Sequence, residues 1–260
     1  MKAEEIRQFW SEMAHMHGES PSASWSDHGV IELEIRAIGA RLQPGARTLD
    51  AGCANGYSSA RYAALGASVV GVDYIPEMVE HAESRRQALP REVAERIEFR
   101  VGDIRALEFE DASFDAVVST RVIINLPSWE EQVVGLRECV RVLRPGGVFL
   151  LSEATEQGWR RLNTLRREWG LADIPMPPFN LYLDQDHVLE AVAGEVALED
   201  VSNFASSYYV ATRLLKPLLA ARADIAVDVA DPDAEFNRWA AALPPAGDYG
   251  TQKLFVLRRR

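Results

Sequence analysis

The chain belongs to the α/β class: a doubly wound, mostly parallel sheet with helices on both faces. Three observations lead there. Short apolar runs rich in β-formers alternate with amphipathic helical runs between residues 47 and 153, and such alternation implies parallel strands joined by right-handed crossovers. The first run, Thr48-Leu49-Asp50-Ala51, enters a glycine loop, Gly52-Cys53-Ala54-Asn55-Gly56, that opens a helix. The second, Val69-Val70-Gly71-Val72-Asp73, ends in an acid, placed about 20 residues past the loop, where a carboxylate can hold a ribose diol. No glycine stands at position 54, so the loop departs from G-x-G-x-x-G and is not shaped for a pyrophosphate.

The elements follow in order. Ile6, Phe9, Trp10, Met13 and Met16 recur at helical spacing over residues 3–17, a helix that packs or forms a lid. The turn-rich stretch 18–24 precedes a second helix from about Ser26 to Leu42, carrying Ile31, Ile35, Ile38 and Leu42. Then come strand 47–51, helix 56–65, strand 68–73, helix 76–88, strand 97–101, strand 114–119, helix 128–143 and strand 147–153. Pro76 suits a first helical turn, where no amide hydrogen is missed, and Ser128-Trp129-Glu130-Glu131 is a capping box. Arg144-Pro145-Gly146-Gly147 ends the helix before it, since proline cannot continue a helix and glycine takes the turn. Beyond residue 155 a helix is expected over Trp159 to Trp169, an irregular proline-rich cover over 175–180, and a helix from about Asp186 to Val192. A strand near Ala197 to Phe204, helical runs over Tyr208 to Ala221 and Ala234 to Leu243, and a last strand at 253–257 complete the chain.

Length, charge and cysteine content bound the function. A chain of 260 residues buries an ample core as one unit. A net charge of −11 argues against a phosphate backbone as partner. The clusters Arg160-Arg161, Arg166-Arg167 and Arg258-Arg259-Arg260 read first as solvated faces, the first two alternatively as contacts for an anionic substrate group. Cys53 and Cys139 are too few and too far apart for a disulfide framework or a thiolate metal site. The charged N-terminal segment does not resemble a secretory signal, and no apolar run reaches the ~18 residues of a membrane span, so a cytoplasmic, membrane-free protein is expected.

Asp50-x-Gly52-x-x-x-Gly56 with Asp73 closing the next strand resembles motifs I and II of the class I S-adenosylmethionine-dependent methyltransferases. Ile97 to Ile104 looks like that family's third strand, and Phe114 to Arg121 followed by Leu143 to Leu151 looks like strand four and the turn into strand five. The resemblance covers roughly residues 45–155, with four stations in register. It implies a Rossmann-like sheet of seven strands ending in an antiparallel hairpin, with an N-terminal helical lid and insertions after strand five and between strands six and seven. Residues 1–44 would be lid and lead-in helix, 45–155 the cofactor-binding core, and 156–260 the rest of the sheet with acceptor-site insertions, all in one structural domain.

The cofactor implied is S-adenosyl-L-methionine, leaving as S-adenosyl-L-homocysteine. Asp73 would take the ribose hydroxyls, though aspartate there also suits a helix cap. Asp50, Ala51, Gly52 and Cys53 form the loop approached by the methionine half, and Tyr74 and Met78 flank the adenine unless they serve packing alone. The resemblance puts Asp103 and Ile104 at the adenine edge, Thr120 or Arg121 near the methyl, and Trp10 and His17 in the cover. Asn55 stands where glycine is commoner and tolerates left-handed backbone.

On the acceptor side Arg121, Asn125 and Glu153 sit at strand carboxyl ends, where open sheets hold ligands. Arg121, His28, Tyr209 and Glu153 are the catalytic candidates. His15 and His17, two apart on a helix, face different ways, and no acidic cluster is recognisable, so no metal is expected. The expected activity is in-line methyl transfer to nitrogen or oxygen of a small polar metabolite: a sugar, an amine or a natural-product intermediate. A peptide or protein methyltransferase and a catalytically silent cofactor-binding partner subunit are the alternatives. The partners expected are a small-molecule acceptor and a second copy in a homodimer, not nucleic acid.

Overall fold

Seven strands make one sheet in a computed structural model that describes residues 2–223, 228, 231 and 234–260. They are β1 (Arg47–Ala51), β2 (Ser68–Asp73), β3 (Ile97–Val101), β4 (Phe114–Thr120), β5 (Leu143–Ala154), β6 (Val196–Ser202) and β7 (Gln252–Arg259). Their order is β3-β2-β1-β4-β5-β7-β6. Strands β1 to β5 run parallel, and β7 runs antiparallel to both β5 and β6. The sheet reverses direction of growth between β1 and β4, so a crevice opens where their carboxyl ends part.

Period-two alternation sorts the core onto two faces. Val148 and Leu150 of β5 pack with Val118, Ile31, Ile35, Ile38 and Tyr62 on one face, while Phe149 and Leu151 pack with Val117, Leu49, Leu136 and Cys139 on the other. Helices α1 (Ala3–His17), α2 (His28–Gly39) and α3 (Tyr57–Ala64) precede β2, and α4 (Pro76–Gln87) with the short α5 (Arg91–Ala94) precede β3. Helix α6 (Trp129–Val142) joins β4 to β5, with α7 (Glu156–Glu168) and α8 (Gln185–Val192) before β6. Between β6 and β7 lie α9 (Ser206–Val210), a π-helical turn at Ala211–Leu215, α10 (Lys216–Ala223) and α11 (Glu235–Ala241).

Pro76 opens α4 as expected, whereas the box at Ser128 is half formed: the Ser128 hydroxyl accepts from Glu131 N at 3.3 Å, but the Glu131 carboxylate pairs with Arg105 instead of closing it. One boundary moves. β5 begins at Leu143, paired with Phe114, and the Pro145-Gly146 turn is an irregularity inside the strand rather than a loop ahead of it. Helix α7 starts three residues earlier than its tryptophan suggested, because Thr155 caps it through Gly158 N at 3.2 Å.

A third, small cluster docks the lid. Ala14, Ala23, Ile75 and Met78 pack with Trp10, Met13, Ala54 and Tyr74, so α1 leans on the start of α4. Asn55 Nδ2 donates to Gly18 O at 2.8 Å and Ser20 O at 2.7 Å, tying the turn after α1 to the glycine loop. Besides the glycines, the left-handed residue of that loop is Ala54, at φ 46°, and not Asn55. What asparagine supplies at position 55 is a side-chain amide for the lid.

Candidate active site

The crevice at the β1/β4 reversal, counted together with the open solvent at its mouth, spans about 930 Å³ of empty space. Its walls bring together Trp10, Ala51, Gly52, Asp73, Tyr74 and Met78, joined by Asp103, Ile104, Thr120 and Arg121. Three residues expected there are not on the walls. Asp50 is buried behind β1 and accepts from Ser59 Oγ at 2.5 Å, which pins α3 to the strand. Cys53 is buried, and desolvation pushes its thiol well up. His17 ends α1 beyond the cavity, with its carbonyl accepting from Ser20 N.

Asp73 is held by the fold before any ligand is considered. Its Oδ2 accepts from Ala54 N and its Oδ1 from Ile75 N, both at 2.9 Å, so one carboxylate fastens the glycine loop and the turn that leads into α4. Burial raises its pKa to about 6 despite those amides. A carboxylate so desolvated is undersupplied with donors, and two hydroxyls are the donors that would complete it. Gly52, at φ 86°, is needed for another reason than ligand approach: a Cβ there would lie 2.0 Å from Val122 Cγ2. Asp103 is already engaged. Its carboxylate accepts from Arg105 N and Nε, both at 2.9 Å, and although burial pushes its pKa up, those bonds bring it below the usual value.

Arg121 stands at the junction of this crevice and a second cavity of about 530 Å³. Its backbone is left-handed, φ 57°, a conformation disfavoured for a long side chain. The guanidinium pairs with Glu34 and lies 5.4 Å over the Trp25 ring. Glu34, 1% exposed, also accepts from Ser152 Oγ at 2.5 Å and Gln252 Nε2 at 3.2 Å. Burial lowers Arg121 to about 10, which leaves it charged at neutral pH opposite that acid. Glu34 escaped the sequence reading, yet its signal is there: an acid inside the apolar stripe Ile31, Ile35, Ile38.

The other catalytic candidates lie off the cavities. Glu153 is fully buried; its Oε1 accepts from Val122 N and Ile123 N, both at 2.8 Å, and desolvation raises its pKa to about 8. It therefore orients the backbone that follows Arg121. His28 opens α2 with Nε2 2.9 Å from Ser22 Oγ, away from both cavities. The Tyr209 ring is buried beside Arg213, 4.9 Å from its guanidinium, with desolvation pushing the phenol up to about 12. Of the second cavity's residues, Trp25, Tyr182 and Gln252 were missed by sequence, whereas Pro177, Phe179 and Asn180 belong to the proline-rich cover expected over 175–180.

The arginine clusters are occupied within the fold: Arg160 pairs with Glu156, Arg161 with Asp248, Arg167 with Asp173 and Arg258 with Glu199, while Arg166 donates to the Arg213 carbonyl. Among the described residues no three acidic, histidine or cysteine side chains group as metal ligands. No helix among them is long and apolar enough to cross a membrane.

Residues 49–151 match the protein family described as methyltransferase domain. A ubiquinone biosynthesis O-methyltransferase of Xanthomonas axonopodis pv. citri is 36% identical over 127 residues, 48% of this chain and 50% of that one. A malonyl-[acyl-carrier protein] O-methyltransferase of Erwinia pyrifoliae is 33% identical over 185 residues, 67% of this chain and 62% of that one. The chain thus spans half to three-fifths of the length of these curated relatives. Among solved structures, the magnesium protoporphyrin IX methyltransferase of Synechocystis, with S-adenosylhomocysteine bound, superposes with a TM-score of 0.61 at 16% identity, covering 93% of this chain and 88% of that one. That likeness is one of fold.

Proposed function

We propose, on the premise that residues 49–151 are a domain of the class I S-adenosylmethionine-dependent methyltransferase family, that the protein methylates an oxygen of a small molecule seated in its second cavity. The observation that carries this reading is the shared wall: Trp10, Ser24, Arg121 and Asn125 line both the crevice at Asp73 and the cavity beyond. Two ligands in such chambers meet across Arg121. The relatives named as O-methyltransferases support oxygen as the acceptor atom.

The residues present suit the cofactor. Asp73 offers the donor-poor carboxylate that a ribose diol completes, and Tyr74, Met78 and Ile104 supply an apolar slot for a flat base. When bound, the cofactor supplies an electrophilic methyl: the acceptor oxygen's lone pair forms the new bond, the sulfur–methyl pair stays on sulfur, and the hydroxyl proton goes to water.

The chain's own part is alignment and exclusion of water. Held alignment of two reactants is worth about 7–11 kcal/mol of barrier where the geometry is near attack. Glu153 and the Glu34–Arg121 pair fix the backbone at the junction, while Trp10 on the lid closes it. Among the described residues no carboxylate or histidine lines the second cavity, so the acceptor reaches its reactive state by losing its proton to solvent.

Calorimetric titration with S-adenosylhomocysteine tests the first half. Wild type should bind, and Asp73→Ala should bind at least tenfold more weakly, as expected for lost charge-assisted hydrogen bonds of about 1.5–3 kcal/mol. Unchanged affinity in the variant would refute the reading. Turnover with a panel of acceptors separates an enzyme from a silent binding subunit.

A further inference from the structure

Resting on the methyl-transfer reading, we propose that the acceptor is a planar aromatic ring carrying a hydroxyl, rather than a sugar, a polyol or an amine. The second cavity is built of flat surfaces. Trp10, Trp25, Phe179 and Tyr182 contribute rings to its wall, with Ile124 and Pro177 between them. Phe179 stacks on Phe9 at 4.5 Å and meets Trp10 edge-on at 5.8 Å, so these faces are mutually braced before a ligand arrives.

The polar part of the wall is neutral. Among the described residues no carboxylate lines the cavity to hold an ammonium, and the one charged residue on its wall, Arg121, is matched by Glu34 behind it. That leaves no free charge to recognise an ionic group. The neutral side chains of Asn125, Asn180 and Gln252 share the wall and can pair with an aromatic hydroxyl. A sugar would bury a whole ring of hydroxyls against the aromatic residues, and each one left without a partner is costly.

The same inventory fits the chemistry. An aromatic hydroxyl loses its proton to water far more readily than an aliphatic one, so it needs no protein base, and Arg121 on the wall is the cation beside the oxygen that keeps the charge. The oxygen then forms its bond to the methyl while the sulfur–methyl bond breaks toward sulfur. The residue between the chambers is thus the one that greets the reacting atom.

Calorimetric titration of the full chain with 2-naphthol and with its saturated counterpart, decahydro-2-naphthol, in the presence of S-adenosylhomocysteine, tests this. The aromatic probe should bind saturably and the saturated one about tenfold more weakly, since ring stacking is lost with the rings. Trp25→Leu and Tyr182→Leu should each weaken 2-naphthol severalfold while keeping their affinity for S-adenosylhomocysteine, because neither residue lines the first crevice. Equal affinity for the two probes, or no binding of 2-naphthol to protein that binds S-adenosylhomocysteine, overturns this inference alone. The comparison of probes on wild type needs no variant to fold. Failure of S-adenosylhomocysteine itself to bind overturns the methyl-transfer reading instead.

Discussion

Glu34 should be the most costly single residue to truncate in the neighbourhood of the junction. Its carboxylate is 1% exposed and meets the Arg121 guanidinium, Ser152 Oγ at 2.5 Å and Gln252 Nε2 at 3.2 Å. Glu34→Ala leaves a buried cation facing a void and strands two further polar groups. Breaking one side of a buried pair costs about 3–5 kcal/mol. For a chain of this size each kcal/mol moves the melting midpoint by about 2–4 °C, so a fall of about 6–20 °C is expected. Replacing both partners is another matter, since an apolar pair of similar volume avoids the desolvation of two charges. Glu34→Leu with Arg121→Met should therefore regain the share of the loss due to the unpaired cation by urea unfolding, while Ser152 and Gln252 stay stranded. If Glu34→Ala costs under 1 kcal/mol, or if the double variant is as unstable as the sum of its singles, the pair is not the keystone described.

Two further outcomes follow from the same geometry. Glu153 has its pKa raised to about 8 in the fold, so the wild type gains stability from it below the unfolded value near 4.5 and loses that gain as pH rises through about 8; Glu153→Gln should gain on wild type by up to about 1.4 kcal/mol per pH unit in that window, and parallel urea midpoints at pH 5 and pH 8 would contradict this. Gly29→Ala would place a Cβ 2.4 Å from the Tyr208 hydroxyl, which donates to buried Asp27 at 2.8 Å. Thermal unfolding should show a loss of about 1–3 kcal/mol, relieved by adding Tyr208→Ala, and no relief would place the cost elsewhere.

Much of the sheet was readable because periodicity and glycine placement report backbone geometry directly. Strands β1 to β4 fall within a residue of their expected bounds, and Asp73 sits at the end of β2 beside the loop. Where the reading missed, contacts far apart in sequence decide. Asn55 was read for its backbone freedom, whereas its side chain holds Gly18 and Ser20 of the lid. Gly52 was read for ligand access, whereas Val122, seventy residues on, fills the space over its Cα. Arg121 was read as facing the acceptor, and its partner Glu34 could not be paired with it by any local rule. The second cavity takes Phe179 and Asn180 from the cover expected over 175–180, but Trp25 and Tyr182 come from irregular segments without periodicity, which is why these two were not expected. His28 and His17 lie off the walls of both cavities, and the His28 ring is engaged locally by Ser22.

Trp10 belongs to the walls of both chambers, and α1 carries it as part of a helix clamped to α4 and to the glycine loop. One indole therefore serves as a common door leaf. Any swing of that helix wide enough to free a spent nucleoside also unroofs the neighbouring room, so along that route departure of one guest and admission of the next are a single event.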